Sequence, residues 1–427
     1  MSGSEPVDAD RVAMRSSEIP SEVDAILQST AFVDIHTHLF PASFGRLGLS
    51  GIDELLTYHY LEAELFRVSD VTPEQYWQLA PAARAEAIWQ ALFVARAPIS
   101  EAARGVVASL DALGLDASSA SLTPIREAYA ARSVEARIDA ALRLAGVSEV
   151  VMTNDPLDPD EVACWDAHAA PDRRFHAALR IDRVLNDWVA HVPALSAQGY
   201  RVDAAVGGTS LAEVRRFLDA WIARMRPRYM AVSLPDTFTY PAADVRTVLL
   251  DGAILPACAD HRLPLSLMIG VRRQVNPALR LAGDASGRAD LRALEALCAR
   301  WLQNRFLVSV LSRENQHELC VYARKFANLL PFGCWWFLNN GSLVEEITRM
   351  RLEMLGTSFI PQHSDARVLE QLIYKWRNTR RSVGRVLADS FRTMADDGRP
   401  VTRADIRADV ERLFRGNFER FAPAVQP

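Results

Sequence analysis

Lysine is nearly missing from this chain: of its 48 Lys and Arg residues only Lys325 and Lys375 are lysine. The five cysteines (Cys164, Cys258, Cys298, Cys320, Cys334) are scattered, with no Cys-X-X-Cys pair. In a long chain that pattern predicts buried free thiols rather than a disulfide framework. No apolar run reaches membrane-spanning length. Residues 1–20 are polar and charged, without the apolar stretch of a secretory signal. No basic block stands out, and a net charge of -5 argues against a nucleic-acid footprint. No Gly-X-Gly-X-X-Gly follows a strand-like run, so a doubly wound dinucleotide fold lacks its main support. The expectation is a cytoplasmic protein with neither a nucleic-acid nor a membrane partner.

What is there is ordinary globular material: 427 residues, 49% hydrophobic and 24% charged, enough for one large domain or two smaller ones. Residues 1–19 read as a loosely ordered tail, and a short helix is expected around Glu22 to Gln28. Phe32 to Ile35 is an apolar, partly β-branched run and reads as a buried strand. Residues of about 51–146 then carry helix-spaced apolar positions and no strand-like run, with Pro73 and Pro81 suited to first helical turns. From there short apolar runs recur: Glu149 to Thr153, Phe175 to Ile181, Arg228 to Leu234, Pro264 to Ile269, Phe306 to Leu311, Leu330 to Phe337 and Phe359 to Gln362. Helical patterns lie between most of them, such as Leu211 to Met225, Leu291 to Gln303, Asn315 to Ala327 and Leu343 to Leu355. Counted with Phe32 to Ile35, the alternation predicts an α/β fold, a parallel (β/α)8 barrel over 20–427. Thr402 to Phe421 reads as closing helices.

In such a barrel the chemistry sits where strands end. Strand one ends in His36 and His38; residues two apart on a strand share a face, so the two imidazoles can hold one divalent ion from one edge. Strand eight ends in His363-Ser364-Asp365, and barrel closure brings Asp365 to the histidines. Two His and one Asp with an open position are the pattern of a catalytic metal site. Each residue also has a plain structural reading. Asp365 could cap a helix beginning near Arg367. Arg180, ending strand three, could be a surface arginine, although it closes an apolar run where a charge needs a partner. Trp335 and Trp336 could be core aromatics. His261 and His317 sit in helical patterns and read as surface or core, and His176 has no assigned role.

Two-metal hydrolases of this barrel type carry a bridging carboxylated lysine and further histidines ending strands five and six. Here those strands end without His, and both lysines fall in helical stretches. The sequence resembles the uronate isomerases, a branch of the amidohydrolase superfamily. The match rests on Asp-Ile-His-Thr-His-Leu-Phe (34–40), Asp-Glu-Leu-Leu-Thr-Tyr-His-Tyr-Leu (53–61), Val-Met-Thr-Asn-Asp-Pro (151–156) and Phe-His-Ala-Ala-Leu-Arg (175–180). It continues through Leu-Ser-Arg-Glu-Asn-Gln-His-Glu-Leu (311–319), Phe-Gly-Cys-Trp-Trp-Phe-Leu-Asn-Asn (332–340) and Phe-Ile-Pro-Gln-His-Ser-Asp-Ala-Arg (359–367). The resemblance implies a distorted (β/α)8 barrel, metal ligands His36, His38 and Asp365, and His59, Tyr60, Arg180, Trp336 and Arg367 around a sugar acid. Moving hydrogen between C2 and C1 of a uronate through an enediol needs an acid, a base and electrophiles. Tyr60 and Asp365, with His59 beside them, are the expected catalytic residues. One divalent cation, Zn2+, and a homo-oligomeric assembly are expected. The competing reading is a mononuclear metal-dependent hydrolase, since the same ligand set can activate water.

Overall fold

The computed structural model describes residues 10, 12–167 and 172–424. Most of the tail expected over 1–19 therefore lies outside the described residues; the first helix runs Ile19–Ser29. The strands are β1 (Phe32–Thr37), β2 (Val147–Asn154), β3 (Phe175–Arg180), β4 (Met230–Pro235), β5 (Leu265–Arg272), β6 (Ala285–Ser286), β7 (Phe306–Val310) and β8 (Leu329–Pro331). They pair in the order β1-β2-β3-β4-β5-β7-β8, all parallel, while the two-residue β6 pairs antiparallel with the end of β5. Parallel strands covered on both faces are largely apolar, and all five residues of β7, like the five of 150–154 in β2, are buried in an unbroken row.

The ring closes through an irregular eighth position. Ile360 bridges Phe332, Asp365 N–H donates to the His36 carbonyl at 3.1 Å, and His38 N–H donates to Ala366 at 2.7 Å. This is a distorted (β/α)8 barrel, as the sequence predicts. The expected strand over 330–337 is corrected: it stops at Pro331. Gly333 turns the chain at φ +64°, and a Cβ there would lie 2.1 Å from His363 Nδ1, so only glycine fits. Trp336–Leu338 then forms a 3-10 turn.

Between β1 and β2 the chain is helical, from Ile52–Leu56 to Val134–Ala145, with no strand among the described residues. Pro73 and Pro81 each start a helix, and Thr72 closes a reciprocal capping box with Gln75. These helices bury their own apolar set, including Leu56, Tyr76, Trp89 and Leu110. The longest helix, Gln371–Asp396, starts four residues after the Arg367 start expected from the sequence and carries Lys375. It packs Trp376 against Phe32 of β1, on which Phe414 stacks at 4.1 Å, and the Trp376 and Phe414 rings meet edge-on at 6.2 Å. Asp365 does not cap it, because Glu370 holds the N-cap position. All five cysteines are free, four of them buried. No helix among the described residues is long and apolar enough to cross a membrane.

Candidate metal centre and active-site cavity

The barrel mouth opens into a narrow cavity at the C-terminal ends of the strands. His36, His38 and Asp365 meet in it, with one ligand atom from each lying within 4.8 Å of the others. A bulge in β1 sets this up. Pairing with β2 jumps from Asp34–Val150 to Thr37–Met152, three residues against two. Ile35 and His36 are adjacent in sequence, yet both reach the barrel interior. Ile35 packs in a cluster that includes Tyr229, and His36 Nδ1 lies 3.1 Å from the Tyr229 hydroxyl. Simple strand alternation would have sent them to opposite faces.

The hydrogen bonds fix both imidazole tautomers. Tyr229 Oη donates to the Ile35 carbonyl at 2.6 Å, so it can only accept from His36 Nδ1–H. Thr153 Oγ1 donates to the Thr37 carbonyl at 3.1 Å and accepts from His38 Nδ1–H at 2.8 Å. Each Nε2 is left with a lone pair. Those lone pairs face Asp365 Oδ1, at 3.6 Å from His36 and 3.3 Å from His38. Burial pushes His36 down to about 4 and His38 to about 3, so both rings are neutral at pH 7. Three acceptors turned toward one point, with no proton between them, fit a divalent cation and little else.

Behind the site, Asp34 is fully buried and accepts from Ser364 N–H at 3.1 Å and from Trp376 Nε1 at 2.8 Å. Burial lifts its carboxyl to about 6 despite those bonds. Asp365 itself sits at φ +50°, a left-handed backbone that a non-glycine residue keeps only where its surroundings enforce it.

Around the triad of His36, His38 and Asp365, the cavity is lined by His59, Arg180, Trp336 and Arg367. Burial pushes His59 down to about 3, which makes it a neutral imidazole. Trp336 edges it with ring centroids 5.3 Å apart, and its Nε1 is buried without a partner among the described residues. Arg180 is partly buried and its fork is taken by Asp182, at 2.9 and 3.1 Å, so it is no surface arginine. Arg367 forms no ion pair among the described residues. Tyr60 stands one layer out: Tyr58 and not Tyr60 lines the cavity, the two rings lie 5.0 Å apart, and the Tyr60 hydroxyl is buried without a partner. His176 pairs with Glu149 and His261 with Asp219, each at 2.7 Å, outside the cavity.

Sequence reasoning missed Thr153, Tyr229, Asp182, Tyr58 and Arg273. Asp182 and Tyr58 each stand within two residues of an expected site residue, which is a usable signal. Thr153 ends the second strand-like run, which is also a signal; Tyr229 carries none, since the barrel alone brings it to His36.

Comparison with known proteins places the whole chain. A uronate isomerase from Bacillus halodurans superposes with a TM-score of 0.95 at 47% identity, over 97% of this chain and 98% of that one. The chain belongs to the uronate isomerase family. It is thus an enzyme of the intramolecular oxidoreductase class. A uronate isomerase from Thermotoga maritima and a glucuronate isomerase from Caulobacter crescentus share the fold of this family member at 15% identity, with TM-scores of 0.77 and 0.76. Each match covers 98% of this chain, and 100% and 97% of the other. No protein-family model and no curated protein matches it.

Proposed function

We propose that this protein interconverts D-glucuronate and D-fructuronate, and D-galacturonate and D-tagaturonate, by proton transfer through an enediol beside a single divalent cation, Zn2+. The observation that carries the reading is the acceptor triad of His36, His38 and Asp365 with its fixed tautomers, set among donors that have no partner of their own. Those donors are Trp336 Nε1 at the cavity wall and, one layer behind it, the Tyr60 hydroxyl; the Arg367 guanidinium lines the same cavity without an ion pair among the described residues. Buried polar groups without partners are costly, and a polyhydroxy acid supplies the acceptors they lack.

A cation held by the triad would polarise substrate oxygens as a Lewis acid. Both imidazole contacts fall on Asp365 Oδ1, so Oδ2 is the oxygen available to take the C2 proton. The C2–H electron pair then forms the C1–C2 double bond, and O1 gains a proton from a phenol, the role that the family resemblance gives to Tyr60 and that Tyr58 is placed to take at the cavity wall. Asp365 then returns the proton to C1 and the phenolate takes the O2 proton, which completes the ketose and restores both groups. The C6 carboxylate pairs with Arg367, which forms no ion pair among the described residues, and not with Arg180, whose fork Asp182 already fills. His59 stays neutral and donates to a substrate oxygen.

The test is to incubate the purified protein with D-glucuronate and look for the ketose acid, before and after chelation and with Zn2+ restored. Absence of ketose in the metal-loaded protein would overturn the reading. Hydrolysis of an amide or ester by that same preparation would favour the hydrolase alternative.

A further inference from the structure

The Ser364–Asp365 turn is held almost entirely from β1. Asp34 takes the Ser364 amide, His36 takes the Asp365 amide, and Ala366 accepts from His38. One other side chain reaches it. Lys375, in the helix Gln371–Asp396, donates from Nζ to the Ser364 carbonyl at 2.7 Å. Lys375 is 2% exposed, and among the described residues it forms no ion pair. The same ammonium lies over the Tyr60 ring, 5.7 Å from its centroid. A buried ammonium is expensive to desolvate, and this one faces both residues assigned to proton transfer.

We propose that Lys375 is a positioning residue of this site, fixing the left-handed Asp365 turn and the Tyr60 ring in register with His36 and His38. The residue type fits the task. In a chain that uses arginine nearly everywhere, the position takes a compact point charge that a single carbonyl and a ring face can satisfy. A guanidinium fork would need more acceptors than the spot offers. The burial cost is offset in part by the fields of Asp365, Glu101 and Asp34.

The inference rests on the metal reading above, and the test separates the two. Lys375→Met keeps the aliphatic stem and removes the ammonium. Zn2+ affinity of the apo variant, measured by competition with a chelator, should fall about tenfold or more. The kcat for glucuronate should fall with it, while KM stays within about threefold. A lower Tm with wild-type Zn2+ affinity and kcat would make Lys375 a strut only and overturn the inference. A wild type that binds no Zn2+ overturns the metal reading and this inference together; equal affinities overturn this one alone. Should the Met variant not fold, Lys325→Arg leaves Lys375 as the single lysine, because Lys325 is the other one and is exposed. Its 13Cε-lysine signal should then shift when Zn2+ is added to the apo protein, and an unmoved signal overturns the inference.

Discussion

Tyr229 gives its phenolic proton to the carbonyl of Ile35 and so meets His36 Nδ1 with a lone pair alone. The consequence runs outward from that one oxygen. His36 must carry its proton on Nδ1, its Nε2 must be bare, and the bare nitrogen must face Asp365. Thr153 imposes the same choice on His38.

Removing either hydroxyl should therefore weaken the metal site without disturbing the barrel. Tyr229→Phe keeps the ring in the interior core and deletes only the oxygen. Supporting hydrogen bonds of this kind typically contribute about 10–100-fold in metal affinity or activity. A fall in that range is expected for Tyr229→Phe, and a further fall when Thr153→Val is added. Chelator competition on folded protein measures it. Unchanged affinity in the double variant would mean that the tautomers are set by something else.

The parts of this site that were legible in the sequence are those written in neighbouring residues. His36 and His38 announce themselves by spacing, and Arg180 by ending an apolar run. The strands were legible because burial on both faces forces continuous apolar runs. The same rule misled over 332–337, where Phe332, Cys334 and Trp335 are buried around a turn and not in a strand. Helix Gln371–Asp396 was legible only at its start near Arg367, because buried Lys375 and Arg380 interrupt its apolar face. Tyr229 was illegible for a different reason: its meeting with His36 depends on closure of the barrel and on a bulge in β1.

The division of labour between the two arginines is open to a direct test. Loss of one partner of a buried charge pair commonly costs about 2–5 kcal/mol. Arg367→Met should raise KM for uronates accordingly. Arg180→Met should instead leave Asp182 uncompensated and act mainly through stability and kcat. Neutral aldohexoses, which lack the C6 carboxylate, should turn over poorly in the wild type. Steady-state kinetics on glucuronate and glucose measure all three, and equal use of glucose would sink the carboxylate argument.

The phenol of the proton transfer is tested by a paired comparison. Tyr60→Phe and Tyr58→Phe each remove one hydroxyl and keep the ring. A positioned acid–base group typically contributes about 10²–10⁴-fold, so Tyr60→Phe should lower kcat within that range. Tyr58→Phe should change kcat little. The reverse result would move the role to Tyr58, the phenol that lines the cavity. Ketose formed in heavy water should carry deuterium at C1; full retention of the C2 hydrogen would point to a shielded base or to hydride transfer.

The pH dependence of stability turns on a carboxyl outside the cavity. Glu370 is 2% exposed and accepts the Gly51 N–H at 3.1 Å, tying the inserted helices to the helix Gln371–Asp396. Burial pushes its carboxyl from 4.5 up to about 7, against the opposing pull of that hydrogen bond. Between those two values the folded chain keeps a proton that the unfolded chain has lost. Unfolding then releases a proton, so stability from this group is full below pH 4.5, declines as pH rises and levels off above about 7. Glu370→Gln imitates the protonated acid at every pH. Relative to wild type it should be near neutral around pH 5 and more stable at pH 8, by up to about 3 kcal/mol. Other buried groups, such as Glu62 and Glu161 with carboxyls also lifted to about 7, are shared by both proteins and cancel in the difference. Denaturant unfolding at the two pH values measures it. A difference that does not change with pH would show that Glu370 is already ionised in the folded chain, its charge carried by the Gly51 amide and the neighbouring Arg137.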